Sequence, residues 1–193
     1  AIVALFLIYW FFFKKENPQN YINHISIHRY ERAEFFRYAP ESPFIKYRVD
    51  FSYLDYYPAN TDLRMEAKFE KNTKSDTISL VTSTNTIDKY IIVGTANFEF
   101  QDIDNILLVL GSINSGSQTL FIPFLDNTSG NTTYGGGRYL DVNYPVGKTI
   151  LLDFNKAYNP YCAYTEAYTC PLPPKENRLQ IAIEAGEKSF PEH

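Results

Sequence analysis

Runs of basic residues are missing from this chain. Its 18 Lys and Arg are outnumbered by 22 Asp and Glu, for a net charge of −4, and nowhere do the cations cluster long enough to track a phosphate backbone. Arg29-Tyr30 and Arg37-Tyr38 place rings beside bases, but Glu31, Glu34 and Glu41 are interleaved, as on a solvated helix face. Nucleic acid is therefore not an expected partner. Histidine is nearly as scarce. His24 and His28 stand four apart on one helical face, a spacing that holds zinc only when further ligands converge. No third ligand stands near, and the intervening Glu of a zinc protease is absent, so no metal is expected.

Cysteine is limited to Cys162 and Cys170. Such a close pair is either a disulfide in an oxidising compartment or two buried thiols in a reducing one, and the disulfide is the favoured expectation. A Cys-His nucleophile would need His24 or His28 beside one of them, which a disulfide would exclude. Gly135-Gly136-Gly137 lacks the Lys-Ser/Thr ending of a P-loop and does not lead into a helical pattern, which argues against nucleotide binding by that route. No motif specifies a cofactor.

Long hydrophobic runs are also few. Ala1 to Phe13 is uninterrupted apolar sequence but shorter than the roughly 20 residues that span a bilayer. It reads as the trailing part of a transmembrane helix or signal sequence, with Tyr9 and Trp10 near the interface; the alternative is a buried helix or strand. No A-x-A cleavage site follows, which favours an uncleaved membrane anchor; that anchor and the close cysteine pair both suit an extracytoplasmic domain. Lys14 and Lys15 pull toward the cytoplasmic side.

What is abundant is aromatic: 17% of the residues, within 45% hydrophobic and 21% charged. That composition can bury a core and favours pleated structure. The expected organisation is an anchor at 1–13, a linker at 14–20 containing Pro18, and a single β-rich domain at 21–193. From Tyr21 through Arg37, Ile22, Ile25, Phe35 and Phe36 recur among Glu and Arg at helical spacing, ahead of Pro40 and Pro43. From Leu63 the period changes, with Met65, Ala67 and Phe69 alternating with Glu66, Lys68 and Glu70. Strand-like runs follow at Ile78 to Thr82, Lys89 to Phe100, Ile106 to Gly111, Leu120 to Phe124, Thr149 to Asp153 and Leu179 to Glu184. The fold class is mainly β: an antiparallel sandwich or partly closed barrel with one N-terminal amphipathic helix.

The C-terminal third departs from alternation. Asp126 to Tyr139, DNTSGNTTYGGGRY, is a glycine-rich turn region; its two Asn-x-Thr/Ser matches, at Asn127 and Asn131, read as turn residues. Phe154 to Pro174 carries four tyrosines, four prolines and both cysteines, which requires a fixed irregular path. FLDNTSGNTTYGGGRYLD, followed by LDFNKAYNPYCAYTEAYTCPLPPKENRLQIAIEAGEK, resembles the bacterial and archaeal domain-of-unknown-function family 1684 (DUF1684). The resemblance is strong from Phe124 to Lys188, and the SPF, FSYLDYYPAN and LRMEAKFE segments are similar to the family's upstream half. It implies a whole domain of that family and brings no reaction, substrate or cofactor.

Polar groups gather where these strands end: Tyr134, Arg138, Asp153, Asn155, Tyr158, Asn159, Glu176, Asn177, Glu187 and Lys188. They are the ligand-binding candidates, since apolar rings with a few convergent polar groups make a small-molecule site, and Arg138 suits a small anionic ligand. The competing reading has them tie the long loop down, with Arg138 paired to Asp153 or Glu187. Three functions stay open. One is a membrane-held domain binding a small anion between the Gly135 to Tyr139 turn and the Asp153 to Asn177 loop. Another is a hydrolase-like enzyme using Asp153, Glu176 or Glu187 as acid or base. The third is a structural or protein-interaction module.

Overall fold

The computed structural model describes residues 17–113 and 119–191. Helix α1 (Pro18–Tyr38) begins inside the stretch expected as linker. Asn17 caps it, its side chain accepting from Gln19 N at 2.9 Å, and Pro18 occupies the first turn, where no N–H is needed. It ends where Ala39, ahead of Pro40, turns extended. A second, short helix, α2 (Pro43–Tyr47), follows, capped by Ser42.

The expected membrane-anchored, extracytoplasmic placement is corrected here. Among the described residues no helix is long and apolar enough to cross a membrane. The helix with sufficient length, α1, carries Arg29, Glu31, Arg32, Glu34 and Arg37, charges that a bilayer interior would reject. The run Ala1–Phe13 lies outside the described residues.

Seven antiparallel strands follow: β1 (Arg64–Lys71), β2 (Thr77–Val81), β3 (Ile87–Phe100), β4 (Ile103–Ser112), β5 (Thr119–Phe124), β6 (Arg138–Asn143) and β7 (Thr149–Asp153). Their order is β6-β5-β4-β3-β1-β7, with β2 also paired to β3. The end strands β6 and β7 come side by side, so the sheet curls into a nearly closed barrel. Alternation along the strands supplies its interior: Ala67 and Phe69 from β1, Leu107 and Val109 from β4, Ile150 and Leu152 from β7. A second, aromatic cluster joins Phe36 of α1 to Phe44 of α2 and to Tyr164, the rings meeting at 5.2–5.3 Å.

Two departures from the sequence pattern shape the site. First, β6 is not among the expected strands; it begins at Arg138, inside the stretch expected as glycine-rich turn, and runs on to Asn143. Second, Leu179 to Glu184 is not a strand, although its alternation is real: Leu179, Ile181, Ile183 and Ala185 are all buried in the barrel core. The segment lies in the interior like a stopper, and it is held by the backbone of Leu125 and Asn127 together with the side chain of Asp126 rather than by a strand of the sheet. Asn127 N donates to Ile181 O at 2.9 Å, and Ile183 N donates to Asp126 Oδ2 at 3.0 Å. Leu179 N donates to Leu125 O at 2.8 Å.

Candidate functional site

Arg138 opens β6 and, by sequence, was the natural anion anchor. Gly137 before it has φ +89°, and a Cβ there would sit 2.6 Å from Phe124 O; only glycine lets the turn pass so close to β5. The guanidinium that follows is directed into the protein. Nη2 donates to Asp126 Oδ2 and to Ile183 O at 2.9 and 2.8 Å, and Nη1 donates to Ala185 O and Glu187 O. Neither side chain of the Arg138–Asp126 pair is exposed. The partner is Asp126 rather than Asp153 or Glu187, and the pair pins the carbonyls of the inward-lying C-terminal segment. Both Nη atoms of Arg138 are thereby committed within the protein; its Nε makes no hydrogen bond but is buried, so no part of the guanidinium is open to solvent.

The other candidates fall into separate structural roles. Asn177 Oδ1 accepts from Leu108 N at 2.6 Å while its Nδ2 donates to Leu108 O and Pro123 O at 3.1 and 2.8 Å. It thereby bridges β4 and β5, which among the described residues pair directly at Leu110 and Phe121. Asn155 does the same for Asn60, bonding its N–H and C=O at 2.7 Å each. Asp153 accepts from Tyr21 Oη at 2.6 Å and faces Arg64 at 3.9 Å. Lys188 pairs with Asp55 at 3.1 Å, and Glu176 is exposed on a short turn. Tyr134 rests against the thiols, its Oη 4.0 Å from Cys162 Sγ.

Glu187 is fully buried. Tyr164 Oη and Asn159 Nδ2 donate to its Oε1, and Arg32 Nε stands 3.5 Å from Oε2. Desolvation pushes this carboxyl above the usual carboxylate range, opposed by Arg32, Tyr164 and Asn159. Asp153, Glu176 and Glu187 therefore sit in three separate places, the first two on different elements and the last sealed inside, and do not form an acid–base pair.

The polar groups that do converge come from α1. His24, His28 and Arg32, four residues apart, point along one face of the helix toward β6, β7 and the Asp153–Pro171 loop. A cleft of about 540 Å³ there is lined by His28, Arg32, Lys156 and Asp141, with Tyr139, Tyr158, Tyr161 and Tyr168 as walls and Cys170 and Pro171 at its margin. A second hollow, of about 480 Å³, adjoins it and shares Asp141 and Lys156; Tyr21, His24, Arg64, Glu66 and Asp153 line it. Of the sequence candidates, Tyr158 lies in the first and Asp153 in the second. His28, Arg32, Lys156 and three of the tyrosines were not singled out as a site. The spacing of four on α1 signals His28 and Arg32 alone; nothing in the sequence marks Lys156 or those tyrosines.

Arg32 is held face-on between rings, its Cζ 4.7 Å from the centre of Phe36 and 4.8 Å from that of Tyr158. Its Nε and Nη2 are buried and make no hydrogen bond. Tyr158 Oη donates to Asp141 Oδ2 at 3.0 Å. Desolvation raises the Asp141 carboxyl, with Tyr158 and Arg32 opposing. Burial, then the charges of Lys156 and Arg32, push His28 below its ordinary value. Cys162 and Cys170 are both free thiols, so the expected disulfide is not formed in this structure. Among the described residues no group of three His, Cys, Asp or Glu is placed to hold a metal.

The model of the protein family of unknown function DUF1684 matches residues 49–188. No curated protein matches the chain. Among solved structures, the chain is similar to the solution NMR structure of an uncharacterized protein of Haloarcula marismortui, with 34% identity and a TM-score of 0.70 over 91% of this chain and 97% of that one. The shared architecture and the matched segment, which runs from the start of the barrel's approach at Val49 to the lysine beyond Glu187, agree: the chain belongs to the DUF1684 family.

Proposed function

We propose that this domain binds a small anionic ligand carrying an aromatic or other flat apolar group, in the tyrosine-walled cleft beside α1. One observation carries the reading: the cleft gathers two cations, Arg32 and Lys156, among four tyrosine rings, with Arg32 held by the rings of Phe36 and Tyr158 and by its ion pair with Glu187. A carboxylate or phosphate entering the cleft meets both positive charges. The carboxyls that oppose them are Asp141 and the buried Glu187, both raised by desolvation. A volume of about 540 Å³ suits a small molecule, and tyrosine walls favour a flat apolar body.

Phenyl phosphate and benzylamine serve as opposed probes, titrated into the purified protein and followed by calorimetry and by chemical shifts of Tyr158 and Tyr168. Phenyl phosphate is expected to bind and benzylamine not to. Lys156→Met, at an exposed position, is expected to weaken phenyl phosphate several-fold without changing the fold, and Arg32→Gln to weaken it further. Equal binding of both probes, or unchanged affinity in the folded Lys156→Met protein, would refute the reading.

A further inference from the structure

Independently of any ligand in the cleft, we infer that Cys162 and Cys170 form a reversible dithiol–disulfide site in which Cys162 is attacked or attacks first and Cys170 resolves. The placement is built from three sides. Cys162 sits half-buried on the short turn Tyr161–Ala163, and its backbone N–H donates to Cys170 Sγ at 3.2 Å. Cys170 is buried and pinned to the β2–β3 turn: its N–H donates to Ser83 Oγ at 3.2 Å and its carbonyl accepts from Ser83 N at 2.9 Å. Pro171, the next residue, bridges Thr82. The segment between the two cysteines, Ala163 to Thr169, thus returns the chain so that Cys170 Sγ lies 3.2 Å from Cys162 N, with one thiol half-buried and the other buried and both reduced.

The two environments divide the labour. Cys162 is pushed below the ordinary thiol value, first by its hydrogen bond with Cys170 and further by Tyr134 and Ser83. Cys170 is pushed up, first by that same hydrogen bond and then by burial. The half-buried Cys162 thiol, the more accessible of the two, is therefore the one that reacts with solvent species. A low-molecular-weight disulfide is the oxidant. The Cys162 thiolate attacks one of its sulfurs, forming a mixed disulfide and expelling one thiolate, which takes up the proton Cys162 gave to solvent. Cys170 then loses its proton and attacks Cys162 Sγ. The Cys162–Cys170 bond forms, the mixed bond breaks, and a second small thiol leaves. Two cysteine thiols are oxidised and one disulfide is reduced to two thiols. The upward push on Cys170 from Cys162 no longer applies once Cys162 Sγ is in the mixed disulfide, which eases the second step. Because Cys170 and Tyr161 both line the tyrosine cleft, closing the bond fixes that wall.

The full chain equilibrated in glutathione buffers of graded oxidised-to-reduced ratio, acid-quenched, alkylated and weighed by mass spectrometry, tests this. Both thiols are expected to disappear together in a species lighter by two hydrogens, and to return together on reduction. Cys170→Ser should stop at a glutathione adduct on Cys162, and Cys162→Ser should leave Cys170 unmodified in the native protein. Independent titration of the two thiols, a stable adduct in the wild-type chain, or modification of Cys170 before Cys162 would overturn the inference. The wild-type titration decides it even if a variant fails to fold.

Discussion

Arg138 and Asp126 form an ion pair from which solvent is excluded on both sides, Nη2 to Oδ2 at 2.9 Å, and the same two side chains bind the backbone of Ile183 at its carbonyl and its N–H. These two side chains add to the backbone bonds from Leu125 and Asn127, and the C-terminal segment can enter the barrel with its apolar residues facing inward. The sharing of Asp126 with Thr128, whose N–H and Oγ1 donate to Oδ1 at 3.0 and 2.6 Å, fixes the carboxylate before the arginine arrives.

Removing one member should therefore be severe. Arg138→Met leaves a buried carboxylate without its cation and frees the carbonyls of Ile183 and Ala185; breaking such a pair typically costs about 3–5 kcal/mol. Urea denaturation should show a loss of that order. The double variant Arg138→Met, Asp126→Leu should recover part of it, because no lone charge remains. A loss under about 1 kcal/mol in the single variant would contradict the role assigned to the pair.

Asn177 offers a second test of side chains acting as backbone. Asn177→Ala leaves the N–H and C=O of Leu108 unpaired at a place where β4 and β5 have separated. At about 1–3 kcal/mol per orphaned buried group, the loss should be on the order of 3 kcal/mol. Amide exchange at Leu108 should accelerate more than at Leu110, where the strands still pair. Uniform acceleration across β4 would mean that the change acts globally instead.

These residues explain how much could be read from sequence. Period-two alternation in β1 and in Leu179 to Ala185 correctly marked which side chains are buried, since burial follows side-chain direction. It could not say whether the backbone found a strand, because the partners of Ile181 and Ile183 are the backbone N–H of Asn127 and the carboxylate of Asp126, both distant in sequence. The glycines before Arg138 advertised a loop and hid β6 behind it. Tyr158 and part of the loop from Asp153 line the cleft, yet its cation, Arg32, looks in sequence like any charged residue on a solvated helix. Only the rings of Phe36 and Tyr158, brought together by the fold, distinguish it.

The buried Glu187 makes stability depend on pH in a defined direction. Its carboxyl is raised by desolvation above its ordinary 4.5, so the folded protein holds this proton more tightly than the unfolded one. The contribution is fully present below the unfolded value and is lost as pH rises through the folded one. Wild-type stability relative to Glu187→Gln should therefore decline as pH increases from about 4.5, and level off once the folded carboxyl has ionised. Paired urea titrations across that range read the difference directly. A difference that grows with pH would show that the attraction of Arg32 outweighs burial.

Gly186 lies one residue before Glu187 and sets how that carboxyl is delivered. Its φ is +76°, and a Cβ would stand 2.6 Å from Ala157 O and 2.7 Å from Phe154 O, while its own carbonyl accepts from Tyr57 N at 3.0 Å. Gly147 provides the control: φ is +63° and a Cβ would meet nothing within 4 Å. Gly147→Ala should cost about 1–2 kcal/mol, the left-handed backbone penalty alone. Gly186→Ala incurs that penalty and must also move two backbone carbonyls, for a further loss of about 1–3 kcal/mol. Because the displaced carbonyls belong to the loop that carries Asn159 to Glu187, the Gly186 variant should also perturb the Asn159 and Tyr164 resonances, and the Gly147 variant should leave them in place. Equal losses in the two variants would mean that φ alone governs Gly186 and that the close packing of Phe154 and Ala157 yields without resistance.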